Sequence, residues 1–239
     1  MLELHQFRHS AFCEKVRLVL AAKGLEYRAI EVTPGLGQLE LYRLSGQRQV
    51  PVLVDGAEVV ADSSAIALHL EARAPQPPLL PADSAQRAQV LLLEDWADTT
   101  LATAARVALV QAAAGDPVLR SALLPEAMPD GLRSLVGAIP AGLLSGLGQV
   151  VQVVDHGALQ LLRASLDQLS SLVQAQPYLV GSHLSLADLA VTAQLSLLSF
   201  PASAGAPLAG RGVPGLADDP ALEPLFRWRD RIAAEVGRI

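Results

Sequence analysis

The spacing of apolar residues predicts a strand, a helix and a second strand at the start of the chain. Leu2 and Leu4 alternate with polar residues, as on a short strand with one buried face. Residues 12–20 carry apolar side chains at helical spacing, and Gly24 is placed to end that helix. Residues 26–32 (EYRAIEV) predict a second strand. The pattern therefore indicates a βαβ unit.

The following segment predicts a helix, a β-hairpin and a further helix. Residues 38–44 are typical of a short helix, and residues 50–54 form an apolar run typical of a strand. Asp55-Gly56 is a strong hairpin signal, and residues 58–61 provide the returning strand. Asp62 is placed to begin the next helix. We therefore predict an α/β first domain with the order βαβ–α–ββ–α.

A proline-rich linker follows this domain. Residues 75–85 include four prolines, which exclude a continuous helix or a central strand. We therefore predict a first domain at residues 1–74 and an all-α second domain at residues 86–239. The second domain carries three apolar stripes at helical spacing. They are Val90, Leu93, Ala97, Leu101, Ala104 and Ala108; Leu159, Leu162, Leu166, Leu169 and Val173; and Leu222, Leu225, Phe226, Ile232 and Val236.

Composition narrows the class of protein. Apolar residues make up 51% of the chain, and the net charge of -6 comes from charges that are scattered singly. Because no run of Lys or Arg occurs, the sequence does not predict a nucleic-acid surface. Cys13 is the only cysteine, so we expect no internal disulfide and a reducing compartment, the cytoplasm. One cysteine and five scattered histidines predict no metal site.

Two long uncharged stretches approach the length of a membrane span. They cover residues 134–154 and 189–210, and both contain Gly and Pro. A lipid-exposed helix tolerates those residues poorly. We therefore predict no transmembrane segment, and instead a loop-rich apolar insertion and a buried helix. The charges at Arg8, Glu14, Lys15 and Arg17 leave no continuous apolar core near the start of the sequence, which also differs from the pattern of a signal peptide.

The first candidate chemical motif lies at the turn between the first strand and the first helix. A helix N-terminus presents free backbone N–H groups and the positive end of a dipole, which together stabilise a thiolate. Ser10 stands at this turn and can donate a hydrogen bond from its hydroxyl to such a thiolate. The alternative is that Ser10 only caps the helix.

The second motif is Val50-Pro51, a proline that opens a strand. A cis peptide bond in a tight turn would explain it and would leave the backbone groups of Val50 to pair with an extended peptide. The alternative is an edge strand with an ordinary trans proline. The third motif, Asp62-Ser63, could bind an α-amino acid group at a helix N-terminus, or could only cap that helix. Ser185 and Asp188 have the spacing of a capping box, which is structural.

In order and spacing, these features resemble the glutathione S-transferase family over essentially the whole chain. The resemblance rests on the Ser-x-x-Cys helix start, Gln-Val-Pro-Val-Leu, Asp-Ser-Ser-Ala-Ile, the linker, and Leu-Ser-Leu-Ala-Asp in the helical half. Serine-type classes such as tau and zeta are the most similar. The resemblance implies a thioredoxin-like domain followed by an all-α domain. It also implies glutathione as co-substrate, a homodimer, and a detoxifying conjugation of glutathione to a small apolar electrophile.

The family's site residues carry over by resemblance. Ser10 falls at the catalytic position. Three side chains, drawn from both domains, are expected to line the electrophile pocket. The glutathione-binding candidates are Val50, Pro51, Asp62, Ser63, Arg48, Gln38 and Gln49, and the pocket candidates are Phe12, Trp96 and Arg106. For Trp96 the alternative is ordinary helix packing.

Two features depart from the family pattern. Ala11 replaces the proline that is common after the catalytic position, and the apolar insertion at residues 115–151 is long. Alternative functions are a glutathione-dependent isomerase or reductase, and a binding or scaffold protein without catalysis. Reduction would require Cys13 as a reactive thiol. Its position one turn into the helix instead predicts a buried, inert thiol.

Overall fold

A computed structural model describes residues 1–33, 36–124 and 156–237. Most of the predicted insertion at residues 115–151, and all of the uncharged stretch at residues 134–154, therefore lie outside the described residues. Among the described helices, none combines the length and the apolar character needed to cross a bilayer.

The first domain is a four-stranded sheet with helices, and the predicted order βαβ–α–ββ–α is confirmed. The sheet has the order β2-β1-β3-β4, with β1 parallel to β2 and the β1–β3 and β3–β4 pairs antiparallel. The elements are β1 (Leu2–Gln6), α1 (Ala11–Ala22), β2 (Tyr27–Glu31), α2 (Leu36–Ser45), β3 (Val52–Asp55), β4 (Glu58–Ala61) and α3 (Ser63–Arg73).

Local sequence explains how α1 is placed. Leu2 and Leu4 on β1 are buried, so the strand aligns its apolar face with the core. Ser10 caps the helix at its start, and Gly24 follows its end with a φ of 61°, a left-handed conformation that glycine adopts easily. As a result, the turn before α1 lies at the end of β1, where its polar groups remain accessible.

The second domain is helical, as predicted. Residues 74–83, between α3 and the first helix of this domain, carry neither helix nor strand. The helices are α4 (Ser84–Trp96), a π-helical turn (Ala97–Leu101), α5 (Ala102–Gly115), α6 (Pro117–Ala122), α7 (His156–Ala175), α8 (Leu186–Leu198) and α9 (Glu223–Glu235).

Helix α8 is a buried helix that contacts both domains. It packs against α1 of the first domain and against α4, α5 and α9 of the second, and nearly all of its residues are buried. The predicted capping box begins it: Asp188 accepts hydrogen bonds from the Ser185 N–H at 2.8 Å and from the Leu179 N–H at 2.7 Å. The stretch predicted as a buried helix at residues 189–210 is helical to Leu198. A 3₁₀ turn at Ala202–Ala204 and irregular chain follow.

Candidate active site

Ser10 is held in a position where it can both cap and donate. Its Oγ accepts a hydrogen bond from the Cys13 N–H at 3.3 Å, and its own N–H donates to the Phe7 carbonyl at 3.0 Å. A serine hydroxyl has one donor and two acceptor positions. Capping uses only an acceptor position, so the hydroxyl proton remains available for a ligand. The two interpretations of Ser10 are therefore compatible.

A cavity of about 690 Å³ opens beside Ser10 and brings most of the predicted site residues together. The Val50–Pro51 peptide bond is cis; Val50 lies on the cavity wall, whereas Pro51 is buried behind it. The predicted residues on this wall are Ser10, Phe12, Gln38, Arg48, Gln49, Val50 and Arg106.

The cavity has an apolar part on the side of the helical domain. Leu109 of α5 and Leu197 of α8 line it. The guanidinium of Arg106 lies over the Phe12 ring, 5.5 Å from its centroid, in a cation–π contact. This side can therefore hold an apolar molecule next to the Ser10 hydroxyl.

Asp62 and Ser63 lie at the start of α3 and are not among the wall residues of this cavity. Asp62 is exposed, has a φ of 79°, and accepts hydrogen bonds from the Ser64 N–H at 2.9 Å and the Ala65 N–H at 3.1 Å. Ser63 is only 3% exposed, and its hydroxyl donates to Asp98 Oδ2 at 3.2 Å. Both residues thus have structural partners in this structure.

Below the start of α3 lies a buried polar cluster that sequence reasoning missed. Lys15 of α1 is fully buried, and its Nζ lies 2.6 Å from Glu94 Oε1 and 3.1 Å from Ser64 Oγ. The ammonium also contacts Asp98 Oδ2, and Ser64 donates to Glu94 at 2.5 Å. Burial raises the pKa of Asp98, although the nearby Lys15 cation opposes this.

The sequence does contain a weak signal for this cluster. Lys15 stands among apolar residues on the face of α1 that faces the core, and Glu94 and Asp98 are four residues apart near the middle of a helix. A buried lysine requires carboxylate partners, so the cluster joins the first domain to the second through α1, α3 and α4.

Two further predicted residues lie away from the cavity wall. Trp96 is partly buried against the core, which agrees with the packing alternative rather than with a pocket residue. Cys13 is fully buried, and its Sγ accepts the Phe7 N–H at 3.5 Å. Burial raises the pKa of this thiol, so the thiolate form is disfavoured.

Comparison with known proteins agrees with this architecture. Residues 4–78 match the family model described as glutathione S-transferase, N-terminal domain, and residues 105–231 match the one described as the C-terminal domain. Glutathione S-transferase Z1 of Arabidopsis thaliana is 39% identical over 90 residues, which are 36% of this chain and 41% of that protein. The match thus spans about two fifths of that relative.

Two other similarities cover more of the chain. FtsZ-localized protein A of Caulobacter vibrioides is 28% identical over 201 residues, or 82% of this chain and 77% of that protein. The crystal structure of the beta-etherase LigF from a Sphingobium species covers 98% of this chain and 95% of its own, with a TM-score of 0.68 and 25% identity. The second family model alone spans more than half of the 239 residues. From the thioredoxin-like first domain to the helical second, the chain belongs to the glutathione S-transferase family.

Proposed function

We propose that the protein is a glutathione transferase, in which Ser10 stabilises the thiolate of glutathione for attack on a small electrophile. The observation that carries this proposal is the position of the Ser10 hydroxyl. It lies at the N-terminus of α1, keeps a free donor, and shares one cavity with Val50 beside the cis proline.

In this proposal glutathione lies extended along Val50, with its sulfur at Ser10. Arg48, Gln38 and Gln49 line the same wall, and the Arg48 cation suits the glycine carboxylate at one end of the tripeptide. The γ-glutamyl end would reach the start of α3. There the exposed Asp62 carboxylate suits the ammonium group, and the α3 N-terminus suits the carboxylate.

The reaction requires only that glutathione is present as its thiolate and that the electrophile is held close to the sulfur. The dipole of α1 and the Ser10 hydroxyl lower the pKa of the bound thiol, and its proton passes to solvent. The sulfur lone pair then forms a bond to the electrophilic carbon, and either a leaving group departs or a conjugated double bond takes up the electron pair. Holding both molecules in one cavity supplies the remaining acceleration.

The test combines binding and turnover. Calorimetry at about 10 mM glutathione should show binding, since this lies above the usual KM range of roughly 1 μM–1 mM. Ser10→Ala should lower kcat about 100-fold or more with little change in glutathione affinity, because the hydroxyl contacts the sulfur. Ser10→Thr should retain more activity. No binding in the wild type, or equal kcat in Ser10→Ala, would contradict the proposal.

A control separates the lost cap from the lost donor. Asp83→Ala removes the N-cap of α4, where the Asp83 carboxylate accepts the Gln86 N–H at 2.9 Å, and Asp83 is not among the residues of the cavity wall. It should destabilise the protein by about 1 kcal/mol, as Ser10→Ala also should, but should leave kcat unchanged. A similar loss of activity in both variants would mean that stability, and not the hydroxyl, controls turnover.

A second candidate is a binding protein without turnover. The similarity to FtsZ-localized protein A over 82% of the chain favours it. Co-sedimentation with FtsZ polymers, together with glutathione binding but no conjugation of a panel of electrophiles, would support this candidate. A reductase that forms a mixed disulfide is disfavoured because Cys13 is buried and its pKa is raised. Isomerisation would use the same site, and product analysis distinguishes it.

We further propose a homodimer, as the family resemblance implies. The first domain exposes Val59 on β4 and Leu68 on α3, and α4 exposes Leu92, which is 70% accessible. A two-fold contact between the first domain of one chain and the helical domain of the other would cover such side chains, with at least about 1,200 Å² buried in total. Light scattering that gives the 25.1 kDa chain mass at all concentrations would contradict it.

A further inference from the structure

His9 lies on the walls of two cavities at once. The active-site cavity, described above, is lined by His9 next to Ser10. A second cavity of about 330 Å³ is also lined by His9, Ser10 and Ala11. This second cavity lies between the first domain, which contributes Arg17, and the irregular chain after α8, which contributes Ala204. The turn before α1 is therefore a partition that both cavities share.

The imidazole of His9 is held at this partition. It is half-buried, and its ring meets the Phe7 ring edge to face, with the centroids 5.7 Å apart and the planes at 87°. Neighbouring Cα atoms are about 3.8 Å apart, so His9 and Ser10 occupy the same part of the cavity wall. The proton of a thiol bound at Ser10 is thus within reach of the imidazole, directly or through one water molecule.

The active-site cavity has a cationic wall. Among the described residues, neither Asp nor Glu lines it, and two arginines do. Besides His9 and Ser10, the polar side chains of this wall belong to Gln38, Arg48, Gln49, Arg106 and Gln194. Nearby cations favour a thiolate and disfavour a further cation beside them. A proton that leaves the sulfur is therefore more stable outside this cavity.

The second cavity carries two carboxylates as well as two guanidinium groups. Its charged and titratable side chains, besides His9, belong to Arg8, Glu14, Arg17, Tyr27 and Glu31. Glu14 Oε2 accepts a hydrogen bond from Arg17 Nε at 2.6 Å. Glu31 accepts one from Gln6 Nε2 at 2.7 Å and one from the Arg8 N–H at 3.2 Å. A proton thus meets less repulsion on this side of His9 than on the side of the active-site cavity.

We propose that His9 is a further catalytic residue, which accepts the thiol proton of glutathione from the active-site cavity and passes it to water in the second cavity. The inference rests on the proposed transferase function and specifies the route by which the proton reaches solvent. Histidine suits this role because it changes charge near neutral pH. Its two ring nitrogens also allow a proton to be taken up at one and released from the other.

The proton transfer separates the roles of the two neighbouring residues. The S–H bond breaks, its electron pair stays on the sulfur, and the proton forms a bond to a ring nitrogen of His9. The imidazolium then loses a proton to water and returns to its neutral form. The Ser10 hydroxyl donates to the thiolate that remains. His9 therefore controls how fast the thiolate forms, whereas Ser10 controls how stable it is.

The experiment mixes the protein with glutathione in a stopped-flow instrument. The thiolate is followed by its ultraviolet absorbance, and the released proton by a pH-indicator dye. His9→Gln keeps a polar side chain that cannot take up the proton, and it should slow thiolate formation about 100-fold. The pH midpoint of the bound thiol should stay unchanged at equilibrium. Ser10→Ala should instead raise that midpoint.

A second histidine provides the matched control. His183 is exposed, its Nδ1 lies 2.9 Å from Ser182 Oγ, and it lines neither cavity. His183→Gln should change neither the rate of thiolate formation nor the midpoint. A slowing of the same size in this variant would overturn the proposal.

The dependence on pH provides a readout that a structural role would not change. In the wild type the rate of thiolate formation should fall as the pH drops through the titration of the imidazole, because only the neutral ring accepts a proton. The nearby arginines disfavour the imidazolium, and the carboxylates Glu14 and Glu31 favour it. His9→Gln should lose this dependence. Free imidazole should restore the rate of His9→Ala in proportion to its concentration.

The outcomes separate this inference from the proposed function. If Ser10→Ala raises the midpoint but His9→Gln forms the thiolate at the rate of the wild type, the transferase function stands and the role of His9 is wrong. A slow His9→Ala protein that free imidazole does not restore would show that the ring only supports the turn. If the wild type binds glutathione but forms no thiolate, both the function and the inference fail.

Discussion

Replacing Lys15 by methionine is expected to destabilise the protein strongly, because it leaves two buried carboxylates without their cation. Lys15 is fully buried, and its ammonium contacts both Glu94 and Asp98. Methionine has a similar length and no charge, so the hydrophobic contacts of the side-chain stem are largely kept. The loss of stability should therefore be electrostatic.

The magnitude follows from the burial of the two acids. Their side chains are 7% and 13% exposed for Glu94 and Asp98, so water can replace the ammonium only poorly. Removing one partner of a buried ion pair costs about 3–5 kcal/mol. Protonation of Asp98, whose pKa burial raises, limits the cost to the lower end, about 3 kcal/mol. For a chain of this size that lowers Tm by about 6–12 °C.

Urea and thermal unfolding at neutral pH would measure this effect. Arg28→Met is the control, because it removes an exposed pair in which Arg28 lies 2.6 Å from Glu3 and is itself 59% exposed. That variant should lose less than about 1 kcal/mol. Adding Asp98→Asn to Lys15→Met should recover part of the loss. A Lys15→Met protein as stable as the Arg28→Met control would refute the electrostatic reasoning.

Three further predictions concern buried groups. Cys13 in the native protein should react with iodoacetamide far more slowly than in guanidinium, because its pKa is raised; equal rates would contradict this. Asp98 has a native pKa above the ordinary value of about 3.9, so its stabilising effect is present below that pH and is lost as pH rises through the native pKa. The difference in unfolding free energy between the wild type and Asp98→Asn, measured by urea titration, should therefore decrease from acid to neutral pH. A difference that does not change with pH would contradict the raised pKa of Asp98. Asp188→Ala should cost roughly 1–3 kcal/mol, since it leaves the buried Leu179 and Ser185 N–H groups unpaired. An unchanged Tm would argue against that role.

The sequence predicted well what local signals determine. Apolar alternation and helical spacing located the strands and helices, since each depends on neighbours within a few positions. The helix start at Ser10 and the proline after Val50 are also local signals, and the structure brings Ser10 and Val50 to one cavity. Capping and ligand binding use the same residue types, so sequence could not decide between these roles for Asp62.

Contacts between residues far apart in the chain could not be predicted from the sequence. Lys15 is separated from Glu94 by 79 positions, and only the folded structure, in which α1 and α4 both pack against α8, shows that they meet. Gln194 is one of four polar residues, with Asp188, Thr192 and Ser196, in an otherwise apolar helix, and nothing in their spacing marks it as a cavity residue. Trp96 is partly buried against the core and is not among the residues of the cavity wall, a placement that only the folded structure shows.

That π-helical turn, at Ala97–Leu101, makes the helix wall of the cavity sensitive to chain length. In a regular α-helix each residue advances the chain by about 100° and 1.5 Å. Deleting Thr99 or Thr100 would allow α4 and α5 to form one regular helix, and would rotate α5 by about that angle relative to α4. Arg106 and Leu109 would then leave the cavity, while Glu94 would keep its contact with Lys15. Insertion or deletion of a single residue at this turn would thus change which side chains of α5 line the cavity. The Lys15–Glu94 contact between the two domains would be kept.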